Sequence, residues 1–180
     1  TCNFQPSGTS CEDGNICTQD SCDPQDGCQS VGQPSTNCAS AVKAILKIKD
    51  KSDNTKDGVK FLWRGGPSLV QDMGDPTTST RYELCIYEDG ALQRGLRMPA
   101  GQTCPTHDCW KSTTPGFNYS YKEKTPDGLQ KMQLRSGIAG KAKITVKGRG
   151  LLLDLPDLGA FDGPVEVQVH NTAGTICWGA

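Results

Sequence analysis

The feature that most constrains this chain is its cysteine content: ten cysteines in 180 residues, six of them among the first 38. An even number crowded into a short segment is typical of a disulfide framework formed in an oxidising compartment. We therefore predict an extracellular or cell-surface protein with every cysteine bridged. The ten are Cys2, Cys11, Cys17, Cys22, Cys28, Cys38, Cys85, Cys104, Cys109 and Cys177. The chain begins at Thr1 with no export signal and no apolar stretch of membrane-spanning length, and we interpret it as a processed chain.

Charge divides the sequence near residue 39. Residues 1–39 carry five acidic side chains and no Lys or Arg, whereas residues 40–180 carry 19 basic and 15 acidic side chains. We predict an acidic, cysteine-rich module over 1–39 and a β-sandwich domain over 40–180. The asymmetry indicates either two separately solvated surfaces or an acidic module that docks on a basic face. Because the basic residues are spread along the strands, we expect no concentrated basic patch and no nucleic-acid partner.

The N-terminal module has short loops rich in Asp, Asn, Gly and Pro, which favour tight turns and cannot form a hydrophobic core. We predict that its six cysteines bridge one another, although six cysteines allow fifteen connectivities. Calcium is a competing possibility, since several side chains offer oxygen ligands: Asp13, Asn15, Asp20, Asp23 and Asp26. Their spacing lacks the alternating acidic core and closing Glu of a calcium loop, so we predict solvated, turn-forming side chains and no cofactor.

Residues 40–180 show alternation of apolar and polar side chains with period two, the signature of half-buried strands. The alternation is clearest over residues 42–49, 82–86, 141–147 and 165–170, and turn sequences separate these segments. Shorter candidate strands are residues 60–64, 117–122, 129–134 and 175–179. We predict an all-β fold, an antiparallel β-sandwich, with a jelly roll or barrel as the alternative.

The four cysteines of this domain suggest two bridges. Cys104 and Cys109 close a short loop, which leaves Cys85 to pair with Cys177. Alternation places Cys85 on the face opposite Leu84, so we expect it to lie outside the core and to be free to bridge to another strand.

Catalytic chemistry finds little support. The sequence Cys104-x-x-His107-x-Cys109 could supply three zinc ligands, but a closed site needs a fourth, and we expect a disulfide there instead. An oxidised Cys cannot act as a nucleophile beside His107, and His170 is expected to be exposed. There is no nucleophile elbow, phosphate loop or His-Glu-x-x-His. A glycosidase pair remains open among the many carboxylates, which include Asp72, Asp75, Glu83, Glu88 and Asp89; we predict that the chain is not an enzyme.

Sugar binding is the more serious alternative, because secreted β domains often stack sugars on exposed aromatic rings. The candidate rings are Trp63, Trp110, Trp178, Tyr87, Tyr119 and Tyr121. Trp110 and Trp178 each follow a cysteine, which favours packing beside a disulfide. Asn118-Tyr-Ser120 is a glycosylation sequon, relevant only if the source glycosylates secreted proteins.

Two resemblances can be stated. Cys17-Thr-Gln-Asp-Ser-Cys22-Asp with Gly27-Cys28 resembles the short cysteine repeat of secreted slime-mould matrix proteins, which implies a stalk or spacer. Segments such as Leu84-Cys-Ile-Tyr87, Cys109-Trp-Lys111 and Thr125-Pro-Asp-Gly-Leu129 resemble an uncharacterised C-terminal domain of secreted deltaproteobacterial proteins, which implies no known activity.

From these features we predict a non-catalytic extracellular structural or adhesive module. Its expected partners are copies of itself, in a surface assembly or filament, or a surface or matrix protein. The alternative function is a carbohydrate- or ligand-binding surface module.

Overall fold

The computed structural model describes residues 11–121, 127–156, 161–174 and 176–180. The chain is all-β, and the only helical segments among these residues are single 3₁₀ turns at Asn54–Lys56, Gln71–Met73 and Leu151–Leu153. The strands are β1 Gln19–Asp23, β2 Gly27–Val31, β3 Ala39–Lys49, β4 Gly58–Gly65, β5 Tyr82–Glu88, β6 Ala91–Met98, β7 Thr103–Cys104, β8 His107–Asp108, β9 Trp110–Thr113, β10 Gly116–Ser120, β11 Leu129–Arg135, β12 Lys143–Arg149, β13 Val165–Asn171 and β14 Trp178–Gly179. None of the described helical segments is long and apolar enough to cross a membrane.

Ten strands form one curled sheet in the order β6-β5-β13-β14-β3-β4-β12-β11-β10-β9. The sheet turns at the short β14, which pairs antiparallel with β13 and parallel with β3. The first four strands therefore face the other six across one hydrophobic core, as the two layers of a sandwich do. We call them the first layer (β6, β5, β13, β14) and the second layer (β3, β4, β12, β11, β10, β9). The predicted all-β, disulfide-rich fold is confirmed.

The core follows the alternation seen in the sequence. Leu84 and Ile86 of the first layer pack in the same buried cluster as Trp63, Ile144 and Val146 of the second layer. At the intervening positions of β4 and β12, lysines or other polar residues point away from the core, except at Leu62, which is apolar and partly exposed. One face of each layer is therefore apolar, and the opposite faces are the two outer surfaces of the domain.

Some strand predictions differ from the structure. β12 begins at Lys143, β10 ends at Ser120, and only Trp178 and Gly179 form the last strand; Thr175 lies outside the described residues. The hairpin β1–β2, strand β6 and the short strands β7, β8 and β9 were not predicted. The hairpin has no alternating apolar face, and its strands form on polar residues stapled by the Cys11–Cys28 disulfide.

The predicted segregation of the disulfides is wrong. Two bridges join the N-terminal segment to the sheet, Cys17–Cys85 and Cys38–Cys177, so the expected Cys85–Cys177 pair does not form. The predicted Cys104–Cys109 bridge is present. Cys22 is also disulfide-bonded, and Cys2 lies outside the described residues. Spacing could not reveal the two long links, because their partners are 68 and 139 residues apart in sequence.

The N-terminal segment covers the outer surface of the first layer. Cys85 does face away from the core, but it is fully buried, beneath Cys17 and beside Tyr87, whose hydroxyl donates to the Cys17 carbonyl at 2.9 Å. The Glu83 carboxylate is buried in the same contact, 2.7 Å from Arg97 Nε and 3.2 Å from the Ile16 backbone nitrogen. Cys85 thus lies outside the main core, as expected, but it is buried, and it bridges to Cys17 rather than to another strand of the sheet. The N-terminal segment gives this layer a second, smaller core.

Candidate functional site

The outer surface of the second layer concentrates positive charge. Its six strands contain eleven Lys or Arg residues and no Asp or Glu. Ten of the eleven are exposed and Lys143 is partly so. We call this surface the basic face; its cations are Lys43, Lys47, Lys49, Lys60, Arg64, Lys111, Lys131, Arg135, Lys143, Lys147 and Arg149.

Strand register arranges eight of these cations in two rows. The first row crosses β3, β4, β12 and β11 as Lys43, Arg64, Lys143 and Arg135. The second row crosses the same strands as Lys47, Lys60, Lys147 and Lys131. Neighbouring strands lie ~4.8 Å apart and a strand rises ~3.3 Å per residue, so each row is about 14 Å long and the rows are about 13 Å apart.

A groove lies between the two rows. It has a volume of about 440 Å³ and is lined on its sides by cations from both rows, among them Lys60, Arg64 and Lys143. Its floor is the row of residues halfway between, which includes Leu62, Thr145, Gln133 and Asn118. The groove thus combines positive walls with amide and hydroxyl groups in the floor.

The cations of the basic face have no acidic partners within the described residues. The ion pairs found there involve other basic residues: Lys56, Arg81, Arg94 and Arg97. Within each row, the cation on one strand lies directly opposite the cation on the next strand. Each row of four therefore contains three like-charged cross-strand pairs, six in all. Like charges opposite one another destabilise a sheet, so an anion bound between the rows would relieve a cost that the fold itself carries.

This surface corrects the sequence argument about charge. We expected the basic residues to be too dispersed to form a patch, and that premise is wrong. The strands carry their cations two or four residues apart, and antiparallel pairing in register brings the cations of four strands side by side. Sequence gives the outward direction of each lysine but not the order in which the strands pair.

The sequence-predicted zinc and nucleophile candidates do not form a site. Cys104 and Cys109 are joined to each other, and His107 is exposed, with Nε2 3.3 Å from the Ser120 carbonyl oxygen. The sulfurs of Cys38 and Cys177 approach the imidazole of His170, but they too form a disulfide. His170 is partly buried rather than exposed, because the segment around Ser35 covers the face on which it lies.

Most of the candidate catalytic carboxylates form hydrogen bonds or ion pairs with neighbouring groups of the protein. Asp72 accepts a hydrogen bond from the Leu69 amide. Asp75 accepts hydrogen bonds from the hydroxyl and the amide of Thr77, and these bonds lower the pKa of the Asp75 carboxyl. Glu88 accepts from the amides of Asp162 and Gly163. Glu83 belongs to the buried contact with Arg97 described above, and Asp89 occupies the left-handed turn before β6. Hydrogen bonds or ion pairs therefore account for Asp72, Asp75, Glu83 and Glu88 as turn or packing groups.

Three of the five calcium candidates, Asp13, Asn15 and Asp23, follow the same pattern. Asp20 differs: its Oδ2 accepts from the Asp13 amide at 3.1 Å, and its Oδ1 is buried without a hydrogen-bond partner among the described residues. Asp13 accepts from the Asn15 amide at 2.7 Å, and Asn15 accepts from the Cys17 amide at 3.0 Å. Asp23 accepts from the amides of Gln25 and Asp26, which lower the pKa of its carboxyl. These are the turn-forming contacts that Asp and Asn make with their own backbone.

Five of the six aromatic rings considered for sugar stacking lie inside the protein. Trp63, Trp110, Trp178, Tyr87 and Tyr119 are all buried, and Tyr121 is partly buried. Trp110 packs against Tyr119 with ring centroids 5.0 Å apart. The five buried rings therefore offer a sugar no exposed aromatic face.

Comparison with known proteins gives no relative. No protein-family model matches this chain, and neither a curated protein nor a solved structure matches it.

Proposed function

We propose that this chain is a non-catalytic extracellular structural or adhesive module that attaches through its basic face to an acidic partner. The observation that carries the proposal is the pair of cationic rows, eight side chains aligned across four strands with no carboxylate among them. A surface of this kind attracts polyanions over a distance and orients their encounter. The disulfides support an extracellular setting, since such bridges persist in oxidising compartments.

A non-catalytic role has two supports. Four of the five candidate carboxylates, Asp72, Asp75, Glu83 and Glu88, are engaged in turns, backbone contacts or the buried ion pair. The groove walls are lysines and arginines on a rigid sheet, which favours binding by charge. A sheet held by strand pairing and disulfides also suits a protein that carries mechanical load.

Self-association is the second candidate, and charge separation favours it. The acidic N-terminal module covers the outer surface of the first layer, and the basic face is the outer surface of the second. Two opposite surfaces of opposite charge can stack head to tail, and contacts of this kind extend into filaments when they do not close.

The proposal is tested by adsorption of the intact protein to surfaces of defined charge. Carboxylated dextran, plain dextran and amine-modified dextran are coated on a quartz crystal microbalance at low and high salt. We expect retention on the carboxylated surface and not on plain dextran, with release as salt screens the charges; retention on the amine-modified surface would report the acidic N-terminal module instead. Equal retention on all three surfaces, or retention on none, would show that the basic face is not an attachment surface.

A further inference from the structure

We infer that the groove between the two cationic rows binds a linear polysaccharide bearing sulfate or carboxylate groups, lying across the strands of the second layer. This inference rests on the proposed function and names the chemistry of the acidic partner. The two rows run parallel across four strands, so the positive charge repeats along a line. A repeating ligand fits a repeating site, and a single small anion would leave most of the cations unpaired.

Protection of a sheet edge against pairing with another sheet does not explain the positive charge of the basic face. Lysines on edge strands discourage one sheet from pairing with another, and this could account for Lys43, Lys47 and Lys49, because β3 beyond Ser40 has only β4 as a neighbour. It does not account for the cations of β4, β12 and β11, which are paired on both sides. Those three strands supply six of the eight row cations.

The floor of the groove indicates a ligand with hydrogen-bonding groups. Asn118, Gln133 and Thr145 lie side by side on three adjacent strands between the rows. The Thr145 hydroxyl is buried and has no hydrogen-bond partner among the described residues, and an unsatisfied buried hydroxyl carries a free-energy cost. Sugar hydroxyls are both donors and acceptors, and they suit a floor of amides and hydroxyls.

The nature of the anion follows from two observations. The six aromatic rings considered for stacking are wholly or partly buried, whereas proteins that bind single-stranded nucleic acid stack bases on exposed rings. The four described disulfides indicate an oxidising compartment, where acidic polysaccharides are abundant polyanions. These observations favour an anionic polysaccharide over a nucleic acid.

The inference is tested by calorimetric titration of the intact protein with heparin fragments of increasing length, alginate fragments, neutral dextran and a short DNA duplex. We expect affinity to rise with fragment length until the fragment is as long as one row, about 14 Å, and then to level off. Heparin and alginate distinguish sulfate from carboxylate recognition, and dextran should not bind.

A pair of matched double variants locates the site. Lys60→Gln with Lys147→Gln removes two cations from the middle of the second row and should weaken binding about tenfold at low salt. Lys56→Gln with Lys141→Gln removes two cations that lie outside the six strands and outside the lining of the groove. Lys56 lies near the second row but is paired with Asp53 at 2.9 Å, so this variant should change affinity less than about twofold. Circular dichroism and melting confirm that both double variants are folded.

Each remaining outcome is decisive. Equal weakening by the two double variants, or binding without length dependence, would overturn the groove as the site. Tighter binding of DNA than of either polysaccharide would overturn the choice of polysaccharide and leave the basic face as an attachment surface. Binding of no polyanion, while the protein still adsorbs to carboxylated dextran, would overturn this inference alone. Loss of both would overturn the proposed function as well.

Discussion

His170 shows how the covering segment changes one residue. Its ring lies on the outward side of β13, 2.7 Å from Gln168 Oε1, and that amide is in turn bonded to both backbone groups of Ser35. Burial under this segment lowers the pKa of His170 to about 4. Glu83 is its neighbour across the strand pair, but that carboxylate is already bound to Arg97, so burial determines the direction of the shift.

This shift predicts that stability falls with acidification. Unfolded His170 protonates near pH 6.5 and the folded ring only near 4, so between these values the unfolded state binds more protons and is favoured. The stability that neutral His170 contributes is therefore fully present well above pH 6.5 and decreases as the pH falls toward 4. Between pH 6.5 and 5 we expect the free energy of unfolding to decrease by about 1–2 kcal/mol.

Urea unfolding at several pH values measures this loss. His170→Gln should flatten the dependence over that interval, and His107→Gln, which removes the other histidine, is the control. An NMR titration that places the pKa of His170 at 6.5 or above would contradict the explanation.

The same residues mark what sequence could and could not predict. Alternation correctly assigned Cys85 to the face opposite Leu84, and it assigned His170 to the polar side of its strand. It could not show that the N-terminal segment covers that face, because this segment has no hydrophobic pattern. The segment contacts the sheet through its Cys17, which is bonded to Cys85, and through the Ser35 backbone, which is bonded to Gln168. Burial there depends on two long-range disulfides that spacing cannot identify.

At the scale of strands, the basic face should make the sheet less stable than its packing allows. Lys147 lies opposite Lys60 on one side and Lys131 on the other. Lys147→Glu replaces two like-charged pairs by two opposite-charged pairs, so we expect the free energy of unfolding to rise by about 1 kcal/mol at low salt. The gain should shrink as salt increases, because exposed charges are screened.

Arg149→Glu is the matched control for this change. Arg149 is exposed on the same strand, but its cross-strand neighbour on β4 is Gly58, so the same charge reversal should produce a smaller gain. The two variants are compared by thermal unfolding at low and high salt. A loss of stability in Lys147→Glu at low salt would contradict the repulsion that we attribute to the rows.

Strand prediction succeeded where one face is apolar and failed where it is not. The alternation of β3, β4, β5, β11, β12 and β13 is visible in the sequence, because each contributes side chains to the core. Seven of the ten strand residues of the hairpin β1–β2 are exposed and none is buried, so the hairpin left no such signal. The basic face could be predicted in its parts, as outward lysines, but its rows depend on strand order and register.

The whole molecule carries its opposite charges on opposite sides. The hairpin β1–β2 and its turn carry Asp26, which is exposed, and Asp20 and Asp23, which are partly buried. They lie on the side covered by the N-terminal module, while the basic face lies on the far side of the core. This arrangement predicts weak head-to-tail association at low salt. Exposed ion pairs contribute only ~0–1 kcal/mol each, so the association should disappear once the Debye length falls to a few Å, at roughly 1 M salt.

Sedimentation velocity on the intact protein measures this association. Asp26→Lys, at the exposed turn of the hairpin, and Lys60→Gln with Lys147→Gln, in the second row, should each reduce it, because they alter the two complementary surfaces. Lys56→Gln with Lys141→Gln should leave it unchanged. A heparin fragment should dissociate the assemblies, because it would compete with the acidic hairpin of a neighbouring molecule for the basic face. Association that persists at high salt, or that ignores both surface variants, would mean that other contacts join the molecules.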